Sequence, residues 1–155
     1  MGDTEEAVGR LRGLDLVLTA ECNLRCAYCY QSRSLRGSMS EDTLRAAVDL
    51  VRRSRGPAVT LAFYGGEPLL EPELLRRGVE YASTPRAGSP RVLFHLTTNG
   101  TRLDAPTAAF LAERHVAVRL SFDGLPSVQD RRGRGSFAQL DDLLVSLRRD
   151  HLAHF

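Results

Sequence analysis

Short β-prone runs alternate four times with stretches of helical periodicity, and this alternation limits the fold more than any other feature of the chain. Residues 14–20, 59–64, 92–97 and 116–122 are apolar or alternating and rich in Val, Leu and Phe, the pattern of strands. After each run, apolar residues recur at helical spacing. The sets are Leu44, Ala47, Val48 and Val51; Leu74, Leu75, Val79 and Ala82; Phe110 and Leu111; and Phe137, Leu140, Leu144 and Leu147. Ser40, Asp104 and Ser136 stand where side chains cap helices, and Pro72 suits a first helical turn. Gly56-Pro57, Gly65-Gly66, Asn99-Gly100 and Asp123-Gly124 punctuate the elements. Strand followed by helix, repeated, predicts an α/β fold with a parallel sheet covered by helices.

Parallel βα units carry every strand-to-helix loop to the same edge of the sheet, where ligands usually bind. The loops here carry unusual residues. Cys22-Asn-Leu-Arg-Cys26-Ala-Tyr-Cys29 follows the first strand, Gly65-Gly66-Glu67-Pro68 the second, Thr98-Asn99-Gly100-Thr101 the third and Ser121-Phe122-Asp123-Gly124 the fourth. Connections 21–39 and 123–135 are also longer than such folds need, which favours functional loops. The four motifs are therefore expected on one rim.

The three cysteines are the only ones in the chain, and C-x3-C-x2-C supplies three thiolates. That is one short of the four that usually close an iron–sulfur cluster or a structural zinc site. A zinc site would need a fourth ligand such as histidine, but His95, His115, His151 and His154 lie far along the chain. His95 reads as a packed strand residue. An open-site cluster outranks both zinc and unrelated thiols, and an open site is a reactive one.

The remaining composition narrows the class. A chain of 155 residues suits one domain, here divided as a polar N-terminal extension over residues 1–13 and a core domain over 14–155. A formal charge of +2 is too balanced to suggest a nucleic-acid partner. Every Lys-or-Arg position is arginine, so a lysine Schiff base is excluded within the chain. Residues 1–13 lack the apolar core of a signal peptide, and no run is long enough for a membrane span. Free thiols at metal spacing fit a reducing cytoplasm.

The motif set resembles that of the radical S-adenosylmethionine (SAM) enzymes, and the resemblance spans roughly residues 14 to 150. It implies a partial (βα) barrel with about four of the family's six βα units, incomplete at the C-terminus. It implies a [4Fe-4S] cluster on Cys22, Cys26 and Cys29, with SAM on the open iron. Reductive cleavage of SAM would then give a 5′-deoxyadenosyl radical that abstracts a hydrogen atom. Gly65, Gly66 and Glu67 would seat the methionine amino group. Tyr28 would pack near the adenine, or else shield the cluster. Asn99 is a turn residue or a cofactor contact. Ser121 and Asp123 would meet the carboxylate or ribose of SAM. Arg132, chosen over Arg131 and Arg134, would pair with that carboxylate, although Gln129 stands where the family commonly has histidine.

The motif style implies the oxidoreductase-like branch that modifies peptides or proteins, with an electron donor such as a flavodoxin or ferredoxin. Four units in place of six imply a fragment of a longer enzyme, a shortened protein completed by a partner chain, or a degenerate module. Two other readings stay open: a cluster- and SAM-binding accessory subunit or fragment without its own catalysis, and a small zinc-binding interaction module.

Overall fold

The structure, a computed structural model, describes residues 11–31 and 36–150. Most of the expected N-terminal extension, His151 and His154 therefore lie outside the described residues. Four strands, β1 (Gly13–Thr19), β2 (Ala58–Gly65), β3 (Arg91–Thr98) and β4 (Val116–Leu120), form one sheet in that order. All neighbouring pairs are parallel. Between and after them run helices α1 (Glu41–Val51), α2 (Pro72–Ser83), α3 (Ala105–Glu113), α4 (Pro126–Gln129) and α5 (Ser136–Asp150). A 3₁₀ turn, Pro68–Leu70, precedes α2. Neither this turn nor α4 has a periodicity long enough to be read from sequence.

Two of the expected caps form. Ser40 Oγ accepts from Thr43 N at 3.1 Å, and Asp104 Oδ1 accepts from Thr107 N at 2.9 Å. The third does not. Gly135 (φ +81°) turns the chain so that Ser136 already lies in the first turn of α5, buried, and its hydroxyl donates to Gln129 O at 3.0 Å. Asp130 Oδ1 instead accepts from Phe137 N at 3.1 Å. Helix α1 also stops before the expected Gly56-Pro57. Arg52, only 6% exposed, donates to the carbonyls of Tyr81 and Thr84 and ties the end of α1 to the end of α2.

The helices seal one face of the sheet. Leu16, Leu18, Leu61, Phe63, Phe94 and Leu96 pack with Leu44, Val48, Leu75, Val79, Ala108 and Leu111 in one buried cluster. Each large side chain there contributes about 1.5–3 kcal/mol by leaving water. Among the described residues the other face is not sealed: Asp15, Val17, His95 and Arg119 are exposed along it. This corrects the reading of His95 as a packed residue. Phe94 and Leu96 take the helix side, and alternation turns His95 away from it. The expected parallel α/β fold is present as an open four-stranded sheet with helices on one side.

Replacing Asp104 with Ala should destabilise the chain by about 1 kcal/mol, with Asp104→Asn recovering most of the loss. Urea unfolding followed by circular dichroism measures both.

Candidate functional site

The loop leaving β1 is held by backbone contacts before any cysteine is considered. Its far end returns to the strand, with Ala20 N donating to Gly37 O and Met39 N to Leu18 O. Its near end lies against the turn after β2, where Gly66 N donates to Thr19 O and Glu67 N to Glu21 O, at 2.9 and 2.8 Å. Only glycines allow this approach. A Cβ on Gly65 would lie 2.3 Å from Thr19 O, and one on Gly66 would lie 2.2 Å from Glu21 O. The middle of the loop pairs with the segment beyond α4, through Arg25 N to Arg132 O (3.1 Å) and Ala27 N to Arg131 O (3.0 Å).

Glu67 is wholly buried and joins the ends of β2 and β3. Its Oε1 accepts from Leu69 N (3.0 Å) and Thr98 Oγ1 (2.6 Å), and its Oε2 accepts from Asn99 N (2.7 Å). Burial pushes its carboxyl above the ordinary range, against the pull of these donors. With the carboxylate turned inward, this motif presents backbone groups, not the Glu67 side chain, to the cavity side. Asn99 extends the network. Its Oδ1 accepts from Thr101 N and Thr101 Oγ1, while its Nδ2 donates to Asn23 Oδ1 (3.0 Å) and reaches Cys22 Sγ at 3.8 Å. Asn99 thus makes the turn and also touches the first cysteine. Asn23 in turn donates to Thr101 Oγ1 at 2.7 Å.

Cys22, Cys26 and Cys29, all free thiols, line one cavity of about 150 Å³. The same cavity is bordered by Gly65, Gly66, Asn99, Ser121 and Arg132, so all four strand-end motifs meet there. Tyr28 sits beside it, its hydroxyl donating to Asp123 Oδ2, while Arg132 donates to Asp123 through Nε and Nη2, both at 2.8 Å. Loss of water around Cys22 Sγ pushes its thiol up, reinforced by the charges of Glu67 and Cys26. The N–H of Leu24, 3.4 Å from that sulfur, pulls the other way.

These residues fit an iron–sulfur cluster. Three thiols border a hollow. Thiolates are the soft donors that such a cluster takes. N–H groups directed at a ligand sulfur are the usual means of tuning such a centre. Of the described histidines, His115 lines a separate hollow with Arg91 and Val92, at the opposite edge of the sheet.

Among known proteins, the family model of the Radical SAM superfamily matches residues 16–152. The chain belongs to the radical SAM superfamily. The superfamily's cofactors are a [4Fe-4S] cluster and SAM. GTP 3′,8-cyclase 2 of Mycobacterium tuberculosis strain H37Rv is 36% identical over 99% of this chain and 39% of its own length. The cysteine-type anaerobic sulfatase-maturating enzyme of Clostridium perfringens strain 13 is 33% identical over 66% of this chain and 30% of its own. The solved structure of native anSMEcpe with bound AdoMet and Cp18Cys peptide superimposes with a TM-score of 0.80 at 26% identity, covering 90% of this chain and 40% of that one. The chain therefore spans well under half the length of these radical SAM relatives.

Sequence reasoning missed Asn23, Thr98 and Gln129 as parts of the site. Thr98 lies within a motif it named, but nothing local reveals that its hydroxyl meets Glu67. Gln129 was noted only as a departure from histidine. It is fully buried, and its Oε1 accepts from Asp123 N at 2.7 Å.

Glu67→Gln puts an amide N–H₂ against one of three fixed donors and should cost about 1–3 kcal/mol. Because the folded-state pKa of Glu67 lies above its unfolded value, its titration favours folding at low pH. That contribution is lost as pH rises through the folded value. The stability advantage of wild type over Glu67→Gln should therefore shrink from pH 4 to pH 8, as urea unfolding at several pH values would show.

Proposed function

We propose that the chain holds a [4Fe-4S] cluster on Cys22, Cys26 and Cys29, binds SAM in the adjoining cavity, and cleaves it reductively to begin modification of a peptide or protein. The observation that carries this reading is the meeting of all four strand-end motifs around one small hollow bordered by the three thiols. When bound, the cluster would supply the electron that breaks the sulfonium of SAM and yields the 5′-deoxyadenosyl radical.

The chain's own residues would bind and orient. The carbonyl of Gly66 is a backbone acceptor suited to the methionine amino group, and that of Gly65, which already accepts from Gln31 Nε2 at 2.8 Å, has a second lone pair to offer it. Arg132 and Ser121, both bordering the cavity, suit its carboxylate. Tyr28, 47% exposed, offers a ring face to the adenine. Leu24 N and Asn99 Nδ2 hold Cys22 Sγ in its ligand position.

The peptide substrate is supported by the sulfatase-maturating relative and by the peptide-bound structural neighbour. The GTP 3′,8-cyclase likeness makes GTP the competing substrate to test. A second reading, a cluster- and SAM-binding module completed by a partner chain, is favoured by the unsealed sheet face, where Val17 is 48% exposed.

The chain reconstituted anaerobically with iron and sulfide, then given SAM and a strong reductant, should assemble the cluster and release 5′-deoxyadenosine over several turnovers. Replacing any one of the three cysteines with Ala should abolish both. A cysteine variant that keeps both would sink the assignment, and zinc without iron or sulfide would support an interaction module. A cluster without cleavage would favour the partner-completed module. Stimulation of 5′-deoxyadenosine release by a cysteine-containing peptide and not by GTP would support the peptide reading; the reverse would replace it.

A further inference from the structure

Asp123 stands at the junction of two loops that also meet through backbone hydrogen bonds, through Leu24 against Gly133, and through the Arg131 guanidinium 6.0 Å from the centroid of the Tyr28 ring. Its carboxylate accepts from the Tyr28 hydroxyl and from two N–H groups of Arg132, at 2.8 Å each. The Arg132 guanidinium also lies 5.4 Å from the centroid of the Tyr28 ring. Both members of the Asp123–Arg132 pair are largely shielded, with side-chain exposures of 19% and 18%. Arg132 holds the Asp123 carboxyl below its ordinary range, so the pair is charged at neutral pH. Asp123 is itself fixed from behind, because its N–H donates to the buried amide oxygen of Gln129 at 2.7 Å.

We infer that Asp123 is a positioning residue that clamps Tyr28 and Arg132 together and so latches the cysteine loop onto the segment after β4. This rests on the reading that the cavity takes SAM, and it gives Asp123 a role other than direct contact with that cofactor. A guanidinium has five N–H donors in a rigid fork. Asp123 engages two, on the Nε and Nη2 edge, which leaves the others on a group that borders the cavity. A carboxylate on one edge of an arginine orients it without using it up, as outer partners orient metal ligands. The same carboxylate fixes Tyr28 between Cys26 and Cys29. Backbone pairing at Arg25–Arg132 and Ala27–Arg131 runs beside this clamp, so release of Asp123 should loosen it.

Amide hydrogen exchange on the full metal-free chain tests the latch without any cluster. Asp123→Asn keeps the size and removes the charge. It should speed exchange at the amides of Arg25 and Ala27 by about tenfold or more, the loss expected for charge-assisted hydrogen bonds. The amides of Leu61 and Phe63 in β2 should not change. Asp123→Glu should restore part of the protection, and Tyr28→Phe should show a smaller loss in the same direction. If Asp123→Asn loses β2 protection through misfolding, Tyr28→Phe decides, since it leaves the Asp123–Arg132 pair in place. Unchanged exchange at Arg25 and Ala27 would overturn the latch.

On reconstituted protein, Asp123→Asn should bind SAM about tenfold or more weakly while keeping its iron. Unchanged SAM affinity in a variant with raised exchange would overturn the positioning role. If wild type takes up neither iron nor SAM, the proposed function fails, and the exchange result still decides whether the latch exists.

Discussion

Two glycines after β2 let the chain pass directly against the backbone leaving β1, and the rim of the sheet is assembled on that contact. Any Cβ at Gly66 would collide with Glu21 O at 2.2 Å, so the contact has no tolerance for a side chain. Because Glu67 N is bound there, its carboxylate is aimed into the interior, where it collects Thr98 Oγ1 and Asn99 N from the end of β3. Asn99 then reaches forward to Asn23 and Cys22. The fourth strand joins through Asp123, Arg132 and Tyr28. Each loop is therefore fixed by the next, and the cysteines are carried by a frame of hydrogen bonds. A site held to sub-ångström tolerance needs such support, since a reactive group displaced by a fraction of a bond length loses its geometry.

The alternation of elements was legible because hydrophobic periodicity survives at the level of single segments, and the parallel rim followed from topology alone. Ser40 and Asp104 could be read as caps because each precedes its helix in a simple turn. Ser136 could not, because the neighbouring Gly135 shifts the helix start and Asp130, six residues earlier, reaches the vacant N–H. His95 was misread because Val92, Leu93, Phe94 and Leu96 make the strand apolar on both sides, which hides its parity. The cysteine spacing was plain. The inward turn of Glu67, the bridging by Asn23 and the bracing of Asp123 by Gln129 were not, since each rests on contacts between residues 6 to 78 positions apart.

The same frame governs how a substrate can approach. On the helix side, Leu18, Leu61, Phe63 and Leu96 are completely shielded, so nothing reaches the cavity through the core. Tyr64 and Thr97 border the cavity and belong to the opposite face, as does Ser121 just beyond β4. Register pairs Thr97 with Arg119 and Ala62 with His95, so the exposed row continues from the cavity down the unsealed side. Under the proposed function, a peptide or nucleotide substrate would come along that side. Its acceptance would then be set by the side chains that alternation turns away from the helices, the positions least constrained by the stability of the fold.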